Sequence, residues 1–385
     1  MSLRAGGCAR GMAMASILVV SSAVVAGAVT GPATVPSRAQ GDVVPVTPAA
    51  RSAGDFFLAR YEQPDGRVVR WDQGGDTVSE GQSYAMLVAA ALGRPGRFAA
   101  AWRWARRRLR QPTGLFAWHW QGGHVVDPSS AADADVGIAS ALALAAARFD
   151  DRSYAADAAA VASAVLEQEV ATVAGRPMLV GGPWALGPPA MTDPSYFMPV
   201  AMARLAALGH PTGWESIVAG GRREIAELTA GGRLPPDWAG LDAQGAPYPT
   251  STPGQGSGPV YGYDAVRIPV LLAASCAVDD RHLAARLWPV LAARVRRHEA
   301  LVGLNLDGSG PASTPGQPPD EPVGLVGAAG AAQAAGRTGT AARLLGRAQA
   351  ADRSHPTYYG SAWVALGRLM LETTSLGGCG PRRSG

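Results

Sequence analysis

The sequence predicts an all-α protein, about twelve helices paired as six helical hairpins that close into a ring. Apolar residues return at helical spacing in segment after segment of the 385-residue chain, each bounded by Gly, Pro or Asp stops. Strand-type alternation is almost absent. The linkers alternate, long before each even-numbered helix and short after it, so successive helices run antiparallel and every long loop falls at one end.

Hydrophobic residues make up 47% of the chain, enough for one large core or two ordinary domains. The net charge of +4 looks basic, but all 34 cationic side chains are arginine, which points to codon bias rather than a nucleic-acid footprint. Arg106, Arg107, Arg108 and Arg110 share an amphipathic segment with Trp102 and Trp104, and a solvated helix face accounts for them better than a phosphate site. Arg4 and Arg10 precede an apolar, small-residue run over 11–29, with cleavage-type small residues around Ala26 or Ala39. Residues 1–40 therefore read as a secretory signal peptide, or an uncleaved signal anchor, with a short linker. The expected location is extracellular, tethered to the membrane if the anchor stays. Of the cysteines, Cys8 lies before the apolar run, Cys276 in an apolar helix and Cys379 in the polar tail; this placement suggests neither a disulfide framework nor a metal site. The domain is expected over 41–375, with a disordered Gly/Arg-rich tail over 376–385.

A short tether, 41–49, leads to the first helix, 52–61, and to a loop with Pro64-Asp65-Gly66 and Gly74-Gly75. The second helix follows Val78-Ser79-Glu80-Gly81 and runs through Met86 to Leu92, with Ser79 as its N-cap, up to the stop Gly93-Arg94-Pro95-Gly96. The third spans 97–110, and the next loop carries Phe116-Ala117-Trp118-His119-Trp120. Helix four spans 133–149, and Asp150-Asp151 turns it into helix five, 154–171. Thr192-Asp193-Pro194-Ser195-Tyr196 opens helix six, and Gly209-His210-Pro211 leads to helix seven, 213–228. The longest loop, 231–262, contains Pro235-Pro236-Asp237-Trp238. Helix eight starts at Tyr263-Asp264, and Asp279-Asp280 marks the corner into helix nine. Loop 303–322 precedes helix ten, Gly336-Arg337-Thr338-Gly339 joins ten to eleven, and helix twelve runs from Tyr358-Tyr359 to Glu372.

Glu80, Asp133, Tyr196, Asp264 and Tyr358 all stand where even-numbered helices begin. A closed ring would gather them around one cleft, and core packing alone has no need of acids at one end. Each acid taken singly also has a structural account. Glu80 can complement the helix dipole, with Gly81 leaving room for a ligand beside it. One of Asp133 and Asp135 can cap its helix, and Asp264 can pair with Arg267 three residues on. Two carboxylates at one cleft are what glycosidic hydrolysis requires, a protonated one for the leaving oxygen and an ionised one for water or the sugar. Trp118, Trp120, Trp184, Trp238 and Tyr248 lie in the long loops on the same side, where exposed rings suit stacking on sugar faces. His119, His124 and His210 lack ligand spacing, and no Gly-rich phosphate loop follows a strand, so neither metal nor nucleotide cofactor is expected.

The blocks Ser79-Glu80-Gly81-Gln82-Ser83-Tyr84, Asp127-Pro128-Ser129-Ser130-Ala131-Ala132-Asp133-Ala134-Asp135-Val136-Gly137-Ile138-Ala139, Pro194-Ser195-Tyr196, Pro236-Asp237-Trp238, Tyr263-Asp264-Ala265-Val266-Arg267 and Tyr358-Tyr359-Gly360 occur in that order. With them the chain, from Ala53 to Leu371, resembles glycoside hydrolase family 8. That family holds bacterial endoglucanases, chitosanases, xylanases and the cellulase that accompanies cellulose synthesis. The resemblance implies an (α/α)6 barrel and inverting hydrolysis of β-1,4-linked chains. Carried over, Glu80 is the general acid and Asp264 the base, while Asp133 binds and distorts the sugar beside the scissile bond. Tyr196, Tyr263 and Arg267 line that subsite. Inversion needs room for water, so the carboxyls of Glu80 and Asp264 are expected roughly 6.5–9.5 Å apart. The family pattern has Ser or Thr where this chain has Ala132, which removes a hydroxyl next to Asp133.

The resulting expectation is an endo-acting β-1,4-glucanase with a polysaccharide as its partner, Trp118, Trp120 and Trp238 as sugar-binding rings, no nucleic acid and a monomeric state. A chitosanase or xylanase of the same family, and a non-catalytic glycan-binding barrel, are the alternatives. The loops around Trp118 and Trp238 are not acid-rich, which favours neutral glucan over cationic chitosan.

Overall fold

Twelve α-helices and eight short strands follow one another along the described residues of the computed structural model, 45–209, 211–256, 258–310 and 318–377. In chain order they are α1 (Pro48–Tyr61), β1 (Thr77–Val78), α2 (Ser79–Leu92), α3 (Pro95–Arg108), β2 (His119–Gln121), β3 (His124–Asp127), α4 (Ala132–Phe149) and α5 (Arg152–Gln168). Then come β4 (Val170–Val173), β5 (Arg176–Leu179), β6 (Ala190–Thr192), α6 (Pro199–Ala206), α7 (Pro211–Leu228), β7 (Trp238–Leu241) and β8 (Pro247–Thr250). The last are α8 (Ile268–Ala273), α9 (Val278–Arg297), α10 (Pro322–Ala334), α11 (Thr338–Ser354) and α12 (Tyr358–Leu371). The segment read as a signal, 1–40, lies outside the described residues.

The even-numbered helices form the inner ring of an (α/α)6 barrel. Each packs on the next even helix, and α12 returns to α2. Their composition requires this place, because a helix that is apolar all round has to be buried all round. In α2 every residue but Glu80 is buried, and α4, α10 and α12 are nearly as enclosed. The odd helices are amphipathic, as in α3, where Phe98, Trp102 and Trp104 face in and the arginines of the last turn face out. Alternation of the two sets brings the N-termini of the inner helices, with the long loops, to one end.

Several local expectations are corrected. Ser79 does not cap α2: Thr77 and Val78 pair with Trp120 and His119 in a strand, so the chain stays extended through Val78 and Ser79 is the first helical residue. Neither Asp133 nor Asp135 caps α4; the N-cap is Ala131, and both acids make tertiary contacts from the first turn. Tyr196 precedes α6 rather than opening it. It ends a 3-10 turn, Pro194–Tyr196, because the residue before Pro199 is held out of the helical region and α6 can start only there. Likewise Asp264 caps a 3-10 turn, Ala265–Arg267, that leads into α8. The near-absence of strands also fails. The long loops carry three small antiparallel sheets, β1-β2-β3, β4-β5 and β6-β7-β8. Helix five stops at Gln168 because Val170–Val173 turns back through Ala174-Gly175, both at positive φ, into β5. Asp279 and Asp280 lie inside the first turn of α9 rather than at a corner before it.

Cys276, which its sequence placement did not mark as part of a disulfide, is disulfide-bonded. Leu376, placed in the tail by its sequence, is buried against the core.

Candidate active site

Glu80 projects from the first turn of α2 into the end of the barrel where the inner helices begin. One carboxyl oxygen, Oε1, accepts from Trp118 Nε1 at 3.0 Å and the other from Ser79 Oγ at 3.2 Å. No cation touches it among the described residues. Burial, reinforced by the negative charge of Asp133, pushes its pKa up to about 7, against the weaker pull of Arg70 and the Trp118 bond. The space over Gly81 is not left for a ligand. Tyr358 fills it, with its hydroxyl 2.9 Å from where a Cβ on Gly81 would stand.

The other acids gather on Arg267. This buried guanidinium contacts Asp133 Oδ2 at 3.0 Å, Asp264 Oδ1 at 3.0 Å and Asp193 Oδ2 at 3.4 Å, and also donates to Ser195 and to the Tyr84 hydroxyl. Its faces lie against the rings of Tyr196 and Trp363. A single guanidinium can hold three carboxylates because its donors fan out in a plane. Asp133 keeps its second oxygen, Oδ1, buried and without a partner. Burial raises the pKa of Asp133 while Arg267 opposes the rise. Asp264 is the open member of the set, its side chain 34% exposed where Asp193 is fully enclosed. Asp264 stands on a backbone that Asp237 secures, for Asp237 Oδ1 accepts from the N–H groups of Gly262 at 2.9 Å and Ala265 at 2.8 Å. Only glycine fits at 262, since a Cβ there would lie 2.2 Å from Asp237 Oδ2. Burial, with the charge of Asp264, pushes Asp237 up to about 7.

The structure thus joins Glu80, Asp133, Asp264, Tyr196, Arg267 and Trp118 in one constellation. Tyr263 is exposed at its rim, edge-on to Tyr359, whose hydroxyl donates to the Tyr263 carbonyl at 2.8 Å. Two expected sugar platforms are differently placed. Trp238 is buried beneath Trp184 and Tyr196, and the face of Trp120 is covered by Arg67 at 4.2 Å with Trp104 against its edge. The open rings are Trp71, Trp184, Tyr248 and Tyr263. Asp193, Asp237, Tyr84 and Tyr359 had not been singled out for the site. Asp193 and Asp237 lie in the loop motifs already quoted, so position before an even helix was signal enough for both.

A barrel of six helical hairpins with a carboxyl of raised pKa, an arginine-held set of carboxylates and exposed rings at one end defines a glycan-cleaving hydrolase. The chain belongs to glycosyl hydrolases family 8, whose sequence profile matches residues 46–371. A probable endoglucanase of Novacetimonas hansenii is 34% identical over 236 residues, covering 59% of this chain and 67% of that protein. The endoglucanase of Cellulomonas uda is 30% identical over 58% of this chain and 63% of its own length. Among solved structures, an endo-β-1,4-glucanase from Acetobacter xylinum superposes with a TM-score of 0.65 at 28% identity, covering 84% of this chain and 97% of that one.

Proposed function

We propose that this hydrolase is an exported endo-β-1,4-glucanase that works with inversion, Glu80 serving as general acid and Asp264 as base. The observation that carries the assignment is the contrast between the two carboxyls. Glu80 is part-buried with no arginine on it, and burial raises its pKa to about 7. Asp264 is paired with Arg267 and open to water. Environments that separate two carboxyls in this way assign the acid and the base.

In the reaction Glu80 gives its proton to the glycosidic oxygen as the bond from that oxygen to the anomeric carbon breaks. Asp264 takes a proton from the water that attacks the anomeric carbon from the opposite face. The products are a new reducing end of inverted configuration and a free hydroxyl, and exchange with solvent resets both carboxyls. The partnerless Oδ1 of Asp133 supports a role as acceptor for a hydroxyl of the sugar at the cleavage point. The exposed rings of Trp184, Tyr248 and Tyr263 suit stacking along the chain. The names of the relatives support β-1,4-glucan, and the N-terminal sequence supports export.

The test is hydrolysis of soluble β-1,4-glucan, chitosan and xylan, with the fresh anomer read by proton NMR before mutarotation. The α-anomer from glucan, lost by about 10²–10⁴-fold in Asp264→Asn, is the expected result. A fresh β-anomer would exclude inversion, and turnover confined to chitosan or xylan would change the substrate. Recovery of a processed N-terminus from the culture medium tests export.

A further inference from the structure

Two carboxyls outside the reaction scheme lie buried near one another behind the site. Asp135 is in the first turn of α4, Glu169 is the residue that ends α5, and both have no exposed surface. Asp135 Oδ1 accepts from the Phe116 N–H at 3.0 Å, and Glu169 Oε1 accepts from Ser130 Oγ at 2.7 Å. The remaining oxygens, Asp135 Oδ2 and Glu169 Oε2, are buried with no hydrogen-bond donor on either, and each carboxyl acts on the titration of the other. An ionised carboxylate can only accept, so a proton held between the two carboxyls supplies the donor that both bare oxygens lack. The further charge that faces both is negative, that of Asp133, and neither carboxyl is in salt-bridge contact with an arginine or histidine among the described residues.

The pair ties together three backbone segments that carry the site. Phe116 leads to Trp118, whose N–H donates to the Ser129 carbonyl, whose carbonyl accepts from the Ser79 N–H and whose indole holds Glu80. Ser130, bonded to Glu169, accepts from Trp184 Nε1 at 3.0 Å through its carbonyl. Asp135 is two residues from Asp133 in the same helical turn. We propose that Asp135 and Glu169 share a single proton and act as positioning residues, fixing Trp118 against Glu80 and Trp184 over the cleft, and that loss of this proton disengages both. The inference rests on Glu80 being the general acid. Burial pushes Glu169 up to about 8 and holds Asp135 well above the carboxylate range, so the pair keeps its proton through neutral pH.

Glu169→Gln tests this directly. The amide donates to Asp135 with the net charge of the singly protonated pair but with no proton to lose. In the parent, kcat/KM falls about tenfold per pH unit once Glu80 ionises, and about a hundredfold per unit above about pH 8, where two protons must be kept. In Glu169→Gln the fall stays at about tenfold throughout, with activity at pH 6 within about twofold of the parent. Asp135→Asn, the second mimic, shows the same shallower limb should Glu169→Gln fold poorly. Glu169→Ala, which leaves Asp135 and Ser130 without their partner, loses activity even at pH 6. Melting temperature measured against pH without substrate gives the independent readout: the parent curve drops between about pH 5 and 8, and the Glu169→Gln curve is flatter. Identical alkaline slopes in parent and both mimics, or parallel melting curves, would overturn the shared proton. A parent inactive on every glycan would strike the functional reading instead, and the melting curves would still decide the pair.

Discussion

Replacing Glu80 by glutamine separates two consequences of one buried carboxyl, lost chemistry and gained stability. An acid whose folded pKa is raised from 4.5 to about 7 binds its proton more tightly in the native state than in the unfolded chain. The associated stability is therefore full below pH 4.5 and is lost as pH rises through 7. At 1.36 kcal/mol per pKa unit the loss is about 3 kcal/mol at most, and the partial access of Glu80 to solvent trims it towards about 2. A domain of this size unfolds with an entropy near 0.7 kcal/mol per degree, so the span corresponds to about 3–4 °C. Glutamine stays neutral, and Glu80→Gln is expected to melt about 3–4 °C above the parent at pH 8 and level with it at pH 4. Hydrolysis of unsubstituted glucan should fall about 10²–10⁴-fold. An aryl cello-oligosaccharide with a dinitrophenolate leaving group, which departs without a proton, should lose far less. Scanning calorimetry and the two rate assays on the same preparations decide the matter. Equal losses on both substrates would refute the acid assignment, and pH-independent melting differences would refute the raised pKa.

Arg267→Met leaves Asp133 and Asp193 buried without their counter-ion, a cost of about 3–5 kcal/mol, and should lower the melting temperature at pH 7 with partial recovery in Arg267→Lys. Gly262→Ala has to displace Asp237, stranding the N–H groups of residues 262 and 265; about 1–3 kcal/mol of stability is expected to go, and kcat more than KM because Asp264 stands on that turn.

The helices were legible because their causes are local. Apolar spacing and Gly/Pro stops place α2 within a residue or two of Ser79–Leu92, and the alternation of linker lengths sorts inner helices from outer ones. The strands were not legible, because Thr77 meets Trp120 and Ala190 meets Leu241 across long separations, and nothing in two to four residues announces such a pairing. The open space assigned to Gly81 and the open face assigned to Trp238 were lost to Tyr358, Trp184 and Tyr196, residues remote in sequence.

The sequence alone therefore determined the family, the helical ring and the end at which its acids collect, since periodicity and motif order act over a few residues. Only the tertiary structure decided which acids share a counter-ion and which does not. That depends on where one buried arginine, from the turn before α8, comes to rest. Arg267 lands on Asp133, Asp193 and Asp264 and leaves Glu80 to burial and an indole, and a charge's energy is set by its distance and surroundings in space rather than along the chain.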